Sequence, residues 1–180
     1  ELPLVPLLFE IEMAEMKIDV SALKGFSDFV STELESLREK IFAISGREFN
    51  IASPKQVGEI LEELNIATGK KTASGQVSTS KDILLELAET YEIAQLIIDY
   101  RELDKLKATY ADALPALIDE DGRIHGNLNQ TVTTTGRLSS TDPNLQNIPI
   151  RTELGQQIRR AFIPEAGNLL ISADYSQLEL

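Results

Sequence analysis

Cysteine is absent from this sequence, which removes disulfides and thiolate metal sites from consideration at once. That absence agrees with a reducing compartment, so a cytoplasmic location is expected. No apolar run approaches the ~18 residues that a membrane span needs, and no membrane partner is expected. A basic leader and an initiator methionine are also lacking. The opening Glu1-Leu2-Pro3-Leu4-Val5-Pro6 is therefore no signal peptide and reads as a cut made inside a longer protein. Histidine occurs once, at His125, where a hydrogen-bonded strand residue is expected rather than a metal ligand.

What is present is the composition of a globular chain, 42% hydrophobic and 26% charged over 180 residues, enough for one large domain or two small ones. The net charge of −12 argues at first against a polyanionic partner. The distribution weakens that objection. Ala67–Lys81 carries three lysines and no acid, and Gly122–Thr141 carries two arginines, one histidine and no acid. The acids lie on expected helix faces and avoid the loops, which leaves local surfaces clear for phosphate.

Apolar residues at Val20, Leu23, Phe26, Val30, Leu34, Leu37, Ile41 and Ile44 recur at three and four, predicting one long helix that Gly46 ends. Ser53-Pro54-Lys55-Gln56 predicts a second helix to about Leu64, with Ser53 as cap, Pro54 at the first position and Gln56 closing a capping box. Thr68–Ser80 lacks periodicity and reads as a loop. Thr79 with Asp82 marks the next helix start, followed by a short helix to about Ala88 and a long one from Tyr91 to about Ala108. This predicts an elongated antiparallel helical subdomain with the basic loop at its tip. Composition changes near residue 115. Arg123–Gln130 alternates as a strand does, Thr131–Thr135 is β-prone, Gly155–Ala161 suits one or two helical turns, and Leu169–Ala173 reads as a buried strand. The expected fold is mainly α with a smaller α+β portion, divided into residues 1–115 and 116–180.

Three constellations carry chemistry. Thr133–Arg151 crowds two arginines, two asparagines and a glutamine against one acid. Such side chains reach minor-groove acceptors and phosphates, although a polar loop satisfied by its own turns has the same composition. Asp174 follows an apolar run; a strand-end carboxylate of this kind either ligates Mg²⁺ or caps a following helix. Lys70-Lys71-Thr72 either contacts phosphates or is simply solvated.

Taken together these segments resemble family A DNA polymerases of the bacterial DNA polymerase I type. Thr135–Pro149 resembles that family's TGRLSS-DPNLQNIP stretch, and Asp174-Tyr175-Ser176-Gln177-Leu178-Glu179-Leu180 its DYSQIEL motif, with Leu178 where isoleucine is more usual. Ser53–Gln56, the lysine-rich tip and Leu103–Tyr110 match the family's thumb. Thr134 stands where alanine is commoner. The resemblance implies a helical thumb, preceded by the helix leading out of the palm, then a partial palm sheet. It implies that Asp174 is one of two aspartates ligating two Mg²⁺ ions, helped by the Tyr175 carbonyl. Tyr175, Ser176, Gln177 and Glu179 would form the deoxynucleoside triphosphate pocket, with Glu179 as the steric gate against ribose. Arg137 would read the minor groove at the primer end and support catalysis. Asn144, Gln146, Asn147 and Arg151 would track the template–primer duplex. Ser53, Lys70, Lys71, Thr72, Ser78, Thr79, Lys107, Thr109 and Tyr110 would hold its phosphates.

The fingers helix and the second palm aspartate of the family are not in these 180 residues. The expectation is therefore part of a DNA-directed DNA polymerase, inert as an isolated piece, whose partners are primer–template DNA, deoxynucleotides and the rest of the polymerase. Self-association through an exposed palm edge is a further expectation. The alternative is an isolated, non-catalytic module that binds duplex DNA.

Overall fold

A computed structural model describes residues 2–66, 69 and 77–175 of the chain. Two compact units are present: residues 27–109, and residues 1–26 together with 110–180. No helix among the described residues is long and apolar enough to cross a membrane.

The unit of residues 27–109 is helical. It holds most of α2 (Val20–Ser45), then α3 (Pro54–Glu63), α4 (Lys81–Ala88) and α5 (Glu92–Leu106). The three-and-four spacing of α2 is realised over the span the sequence predicts, and Gly46 ends it at φ +73°, its amide donating to the Phe42 carbonyl. Glycine adopts that left-handed conformation without a Cβ penalty. Ile41, Val57, Ile60, Leu61, Leu84 and Ile97 are buried at the centre of one apolar cluster. A bidentate pair from Arg47 to Glu63, at 2.8 and 3.1 Å, fastens the Gly46 turn to α3.

Two local expectations are corrected here. Ser53 caps α3 by accepting from the Gln56 amide at 3.4 Å, but the Gln56 side chain accepts from the Asn50 amide at 2.7 Å instead of closing a box on Ser53. The Ser53 amide already donates to Asn50 O, so no donor is left for it. At α4 the cap position is Ser80 rather than Thr79. Thr79 turns inward and is 6% exposed.

In the other unit, α1 (Val5–Ala14) leads into β1 (Met16–Ile18), the central strand of a three-stranded antiparallel sheet. β2 (Arg123–Ile124) pairs with β1 through Lys17↔Arg123, and β5 (Phe162–Ile163) through Lys17↔Ile163. Asp19 then caps α2, accepting from the Ala22 amide at 3.0 Å. The run expected as one strand divides at His125-Gly126. Its second part, β3 (Asn127–Asn129), pairs with β4 (Ser139–Thr141) as a separate ribbon. Thr131–Thr135 forms the connection and is not a strand. α6 (Glu153–Arg160) is capped by Thr152, whose hydroxyl accepts from the Gly155 amide at 3.1 Å.

The buried strand expected over Leu169–Ala173 does not form. Leu169 and Ile171 are 86% and 90% exposed, and the segment has no regular structure. An apolar run becomes a strand only where another strand offers its edge, and none among the described residues pairs with this one.

Candidate nucleic-acid interface

The polar segment is built on the β3–β4 ribbon. Pairing of Asn129 with Ser139 closes a loop that carries Arg137 at its exposed end. Gly136 turns the chain at φ +76°, and the Thr133 hydroxyl donates to the Arg137 carbonyl at 2.5 Å. After β4 a 3₁₀ turn over Leu145–Asn147 is tied back to the ribbon, since Gln146 Nε2 donates to Leu138 O at 3.2 Å. Asn144 Oδ1 accepts from the Ser140 hydroxyl at 3.3 Å. From below, the Tyr110 hydroxyl donates to Asn147 O at 2.6 Å. The structure thus gathers Arg137, Asn144, Gln146 and Asn147, all exposed, on one braced stretch. Arg151 is exposed just before α6.

Tyr110 itself is buried at 5% exposure, and burial pushes its phenol above the ordinary range. It stands in a π-helical turn, Lys107–Ala111, with Lys107 half-buried and Thr109 exposed. Asp174 and Tyr175 are exposed. In the helical unit, Ser53 and Ser78 are half-buried. Lys70, Lys71, Thr72, Ser176, Gln177 and Glu179 lie outside the described residues.

Two features escaped the sequence reading. Glu165 is the hub of the three-stranded sheet, taking Lys17 Nζ at 2.8 Å and Arg123 Nη2 at 2.9 Å. Lys17 first, and Arg123 after it, hold its carboxyl below the ordinary value. Arg101 of α5 donates from Nε to Ile51 O at 3.2 Å and from Nη1 to Thr79 O at 2.9 Å. Burial lowers its basicity.

Asp119, Asp121 and His125 are the one grouping of metal-capable side chains among the described residues. Asp121 is already faced by Arg123, whose Nε is 3.7 Å from Oδ2. His125 Nδ1 lies 2.8 Å from Glu12 O, so the ring is hydrogen-bonded as expected, although it stands between β2 and β3 and not in a strand. Asp174 is not part of this group.

A family model described as DNA polymerase family A matches residues 20–180. The chain belongs to DNA polymerase family A. Over its full length it is 49% identical to the thermostable DNA polymerase I of Thermus aquaticus, covering 22% of that protein. It is 47% identical to DNA polymerase I of Pseudomonas aeruginosa and of Bacillus subtilis, covering 20% and 21% of them. The chain thus spans about a fifth of the length of the curated relatives it matches. Among solved structures it is similar to the POL domain of Pol1 from M. smegmatis, in complex with DNA primer-template and dNTP. The TM-score is 0.86 at 39% identity, covering 93% of this chain and 30% of that one. The family A resemblance of the two motifs is confirmed by these matches, as is a mainly α fold with a small antiparallel sheet.

Proposed function

We propose that this chain is the thumb and the first part of the palm of a DNA-directed DNA polymerase that extends a primer on a template with deoxynucleotides. The carrying observation is the likeness to the M. smegmatis POL domain, whose structure holds primer-template and dNTP. The grouping of residues 1–26 with 110–180 supports counting the opening residues with the palm. The fingers and distal palm would come from the rest of the polymerase.

The residues present fit a magnesium site in part. Asp174 is an exposed carboxylate and Tyr175 an exposed neighbour, and Mg²⁺ takes hard oxygen ligands from one or two carboxylates plus substrate phosphates. When bound, two such ions would activate the primer 3′-hydroxyl and neutralise charge on the triphosphate. This chain's own part is to aim one carboxylate and one carbonyl at that site. Ser176, Gln177 and Glu179 would enclose the nucleotide, Glu179 excluding the 2′-hydroxyl that distinguishes RNA. Arg137 supplies a donor fork to minor-groove acceptors, and Asn144, Gln146, Asn147 and Arg151 would follow the duplex. Ser53, Lys70, Lys71, Thr72, Ser78, Lys107 and Thr109 would hold phosphates; the expected contacts from Thr79 and Tyr110 are withdrawn, since both are buried and the Tyr110 hydroxyl is taken by Asn147 O. The exposed Leu169 and Ile171 favour association with a second copy of this piece.

Two measurements test the reading. Affinity of the 180-residue chain for a labelled duplex should fall steeply between about 50 and 200 mM salt; a flat response refutes the phosphate contacts. Within a complete family A polymerase carrying this segment, Asp174→Asn should cut turnover at least about a thousandfold with DNA affinity within about twofold. Arg137→Ala should likewise lose far more turnover than affinity. Full synthesis by the Asp174 variant would leave only a DNA-binding module.

A further inference from the structure

We propose that Arg101 is a positioning residue for the phosphate-contacting surface of the helical unit; this rests on the proposed role of Ser53 and Ser78. Its guanidinium stands where two chain segments approach α5. Nε holds the carbonyl of Ile51 and Nη1 the carbonyl of Thr79. Ile51 lies two residues before the cap of α3, and Thr79 lies between Ser78 and the start of α4. One planar group therefore sets both helix starts. Its donors point in fixed directions, so two carbonyls bound in one fork are held at one spacing and one angle. A lysine ammonium is a point donor and imposes no such geometry.

Stability alone does not account for arginine at this position. No carboxylate among the described residues pairs with it, and Nη2 is buried without a hydrogen-bond partner, as is Thr79 Oγ1. An apolar side chain of similar volume would avoid desolvating a charge but would leave the Ile51 and Thr79 carbonyls without this donor. What the guanidinium adds is a rigid link between two segments whose hydroxyls have short reach. A serine bonds a phosphate oxygen only within about 3 Å, so a small slip of either segment forfeits the contact.

The test measures duplex affinity, its salt slope and amide exchange for Arg101→Gln, Arg101→Lys and Ser78→Ala in the full 180-residue chain. Both Arg101 variants should bind about tenfold more weakly with the salt slope unchanged. The amides of Val57 and Leu84, bonded to Ser53 O and Ser80 O, should exchange faster. Ser78→Ala should weaken binding about threefold, and should cost less again when added to Arg101→Gln, because that hydroxyl is already displaced. If Arg101→Gln fails to fold, Arg101→Lys carries the test. Were arginine merely structural, lysine would restore affinity wherever it restored the melting temperature.

Affinity within twofold of the parent, for a folded Arg101 variant, overturns the proposal. So does a slope reduced by about one, which marks a direct phosphate contact. Parental affinity of the Arg101 variants beside a weakened Ser78→Ala refutes the positioning role alone. Parental affinity of Ser78→Ala refutes the hydroxyl contacts, and the proposal falls with them.

Discussion

Replacing Gly155 by alanine sets two opposite effects against each other at the start of α6. An ideal Cβ at this position lies 2.4 Å from Pro149 O, 2.7 Å from Pro149 Cβ and 2.8 Å from Pro149 C. Two of those three atoms are backbone, and the third sits in a proline ring with its φ fixed. No side-chain rotation relieves the overlap. Residues 148–151 must shift by about half an ångström or more, and such overpacking costs about 1–3 kcal/mol. Alanine gains up to ~1 kcal/mol in a helix relative to glycine, partly through the unfolded chain. The gain is smaller here because position 155 lies in the first turn, where the Thr152 cap already holds its amide. The clash wins, and the expected net loss is about 1–2 kcal/mol, seen in urea denaturation as a lower midpoint at unchanged slope. Duplex affinity should fall as well, since the displaced residues carry Ile150 and Arg151 and follow Asn147. A variant as stable as its parent would refute the argument, because the Pro149 backbone would then yield at no cost.

The acid limb of stability should run through Glu165. Its pKa is lowered in the fold from 4.5, so its contribution is full above that unfolded value and vanishes as pH falls through the lower folded one. Glu165→Gln should therefore destabilise the chain at neutral pH, with the gap to the parent closing as pH falls below 4.5; a gap independent of pH refutes the Lys17 and Arg123 pairing. Tyr110→Phe removes the hydroxyl that braces Asn147. Water can reach the exposed Asn147, so the loss should be near 1 kcal/mol by denaturation, with duplex binding weakened. No change in either measurement would remove Tyr110 from the bracing of the turn.

Periodic features with a local cause were legible in the sequence. The apolar stripe of α2, the glycine that stops it, the Ser53 cap and α5 each follow from residues within a turn or two of one another. α1 and β1 were not read. β1 is only Met16-Lys17-Ile18, too short to show alternation, and it becomes a strand because Arg123 and Ile163 flank Lys17 from distant parts of the chain. The opposite failure occurred at Leu169–Ala173, whose composition suits a strand while its pairing partner is not among the described residues. At the candidate site, motif content identified the residue types in the Arg137 segment, and the ribbon that presents them came from the structure alone.

What no inspection of residue types would have found is the bracing through main-chain carbonyls. Arg101 holds Ile51 and Thr79, Arg123 holds Ala14 and Glu15, and Tyr110 holds Asn147. Every residue owns a carbonyl, so the acceptor's identity leaves no trace in the sequence and only the donor is marked. The consequence is an asymmetry under substitution. Changing Ile51, Ala14 or Asn147 leaves these bonds available, whereas changing the arginine or tyrosine deletes them and strands a carbonyl. Two of these three donors, Arg101 and Arg123, lie outside the motifs that identify the family.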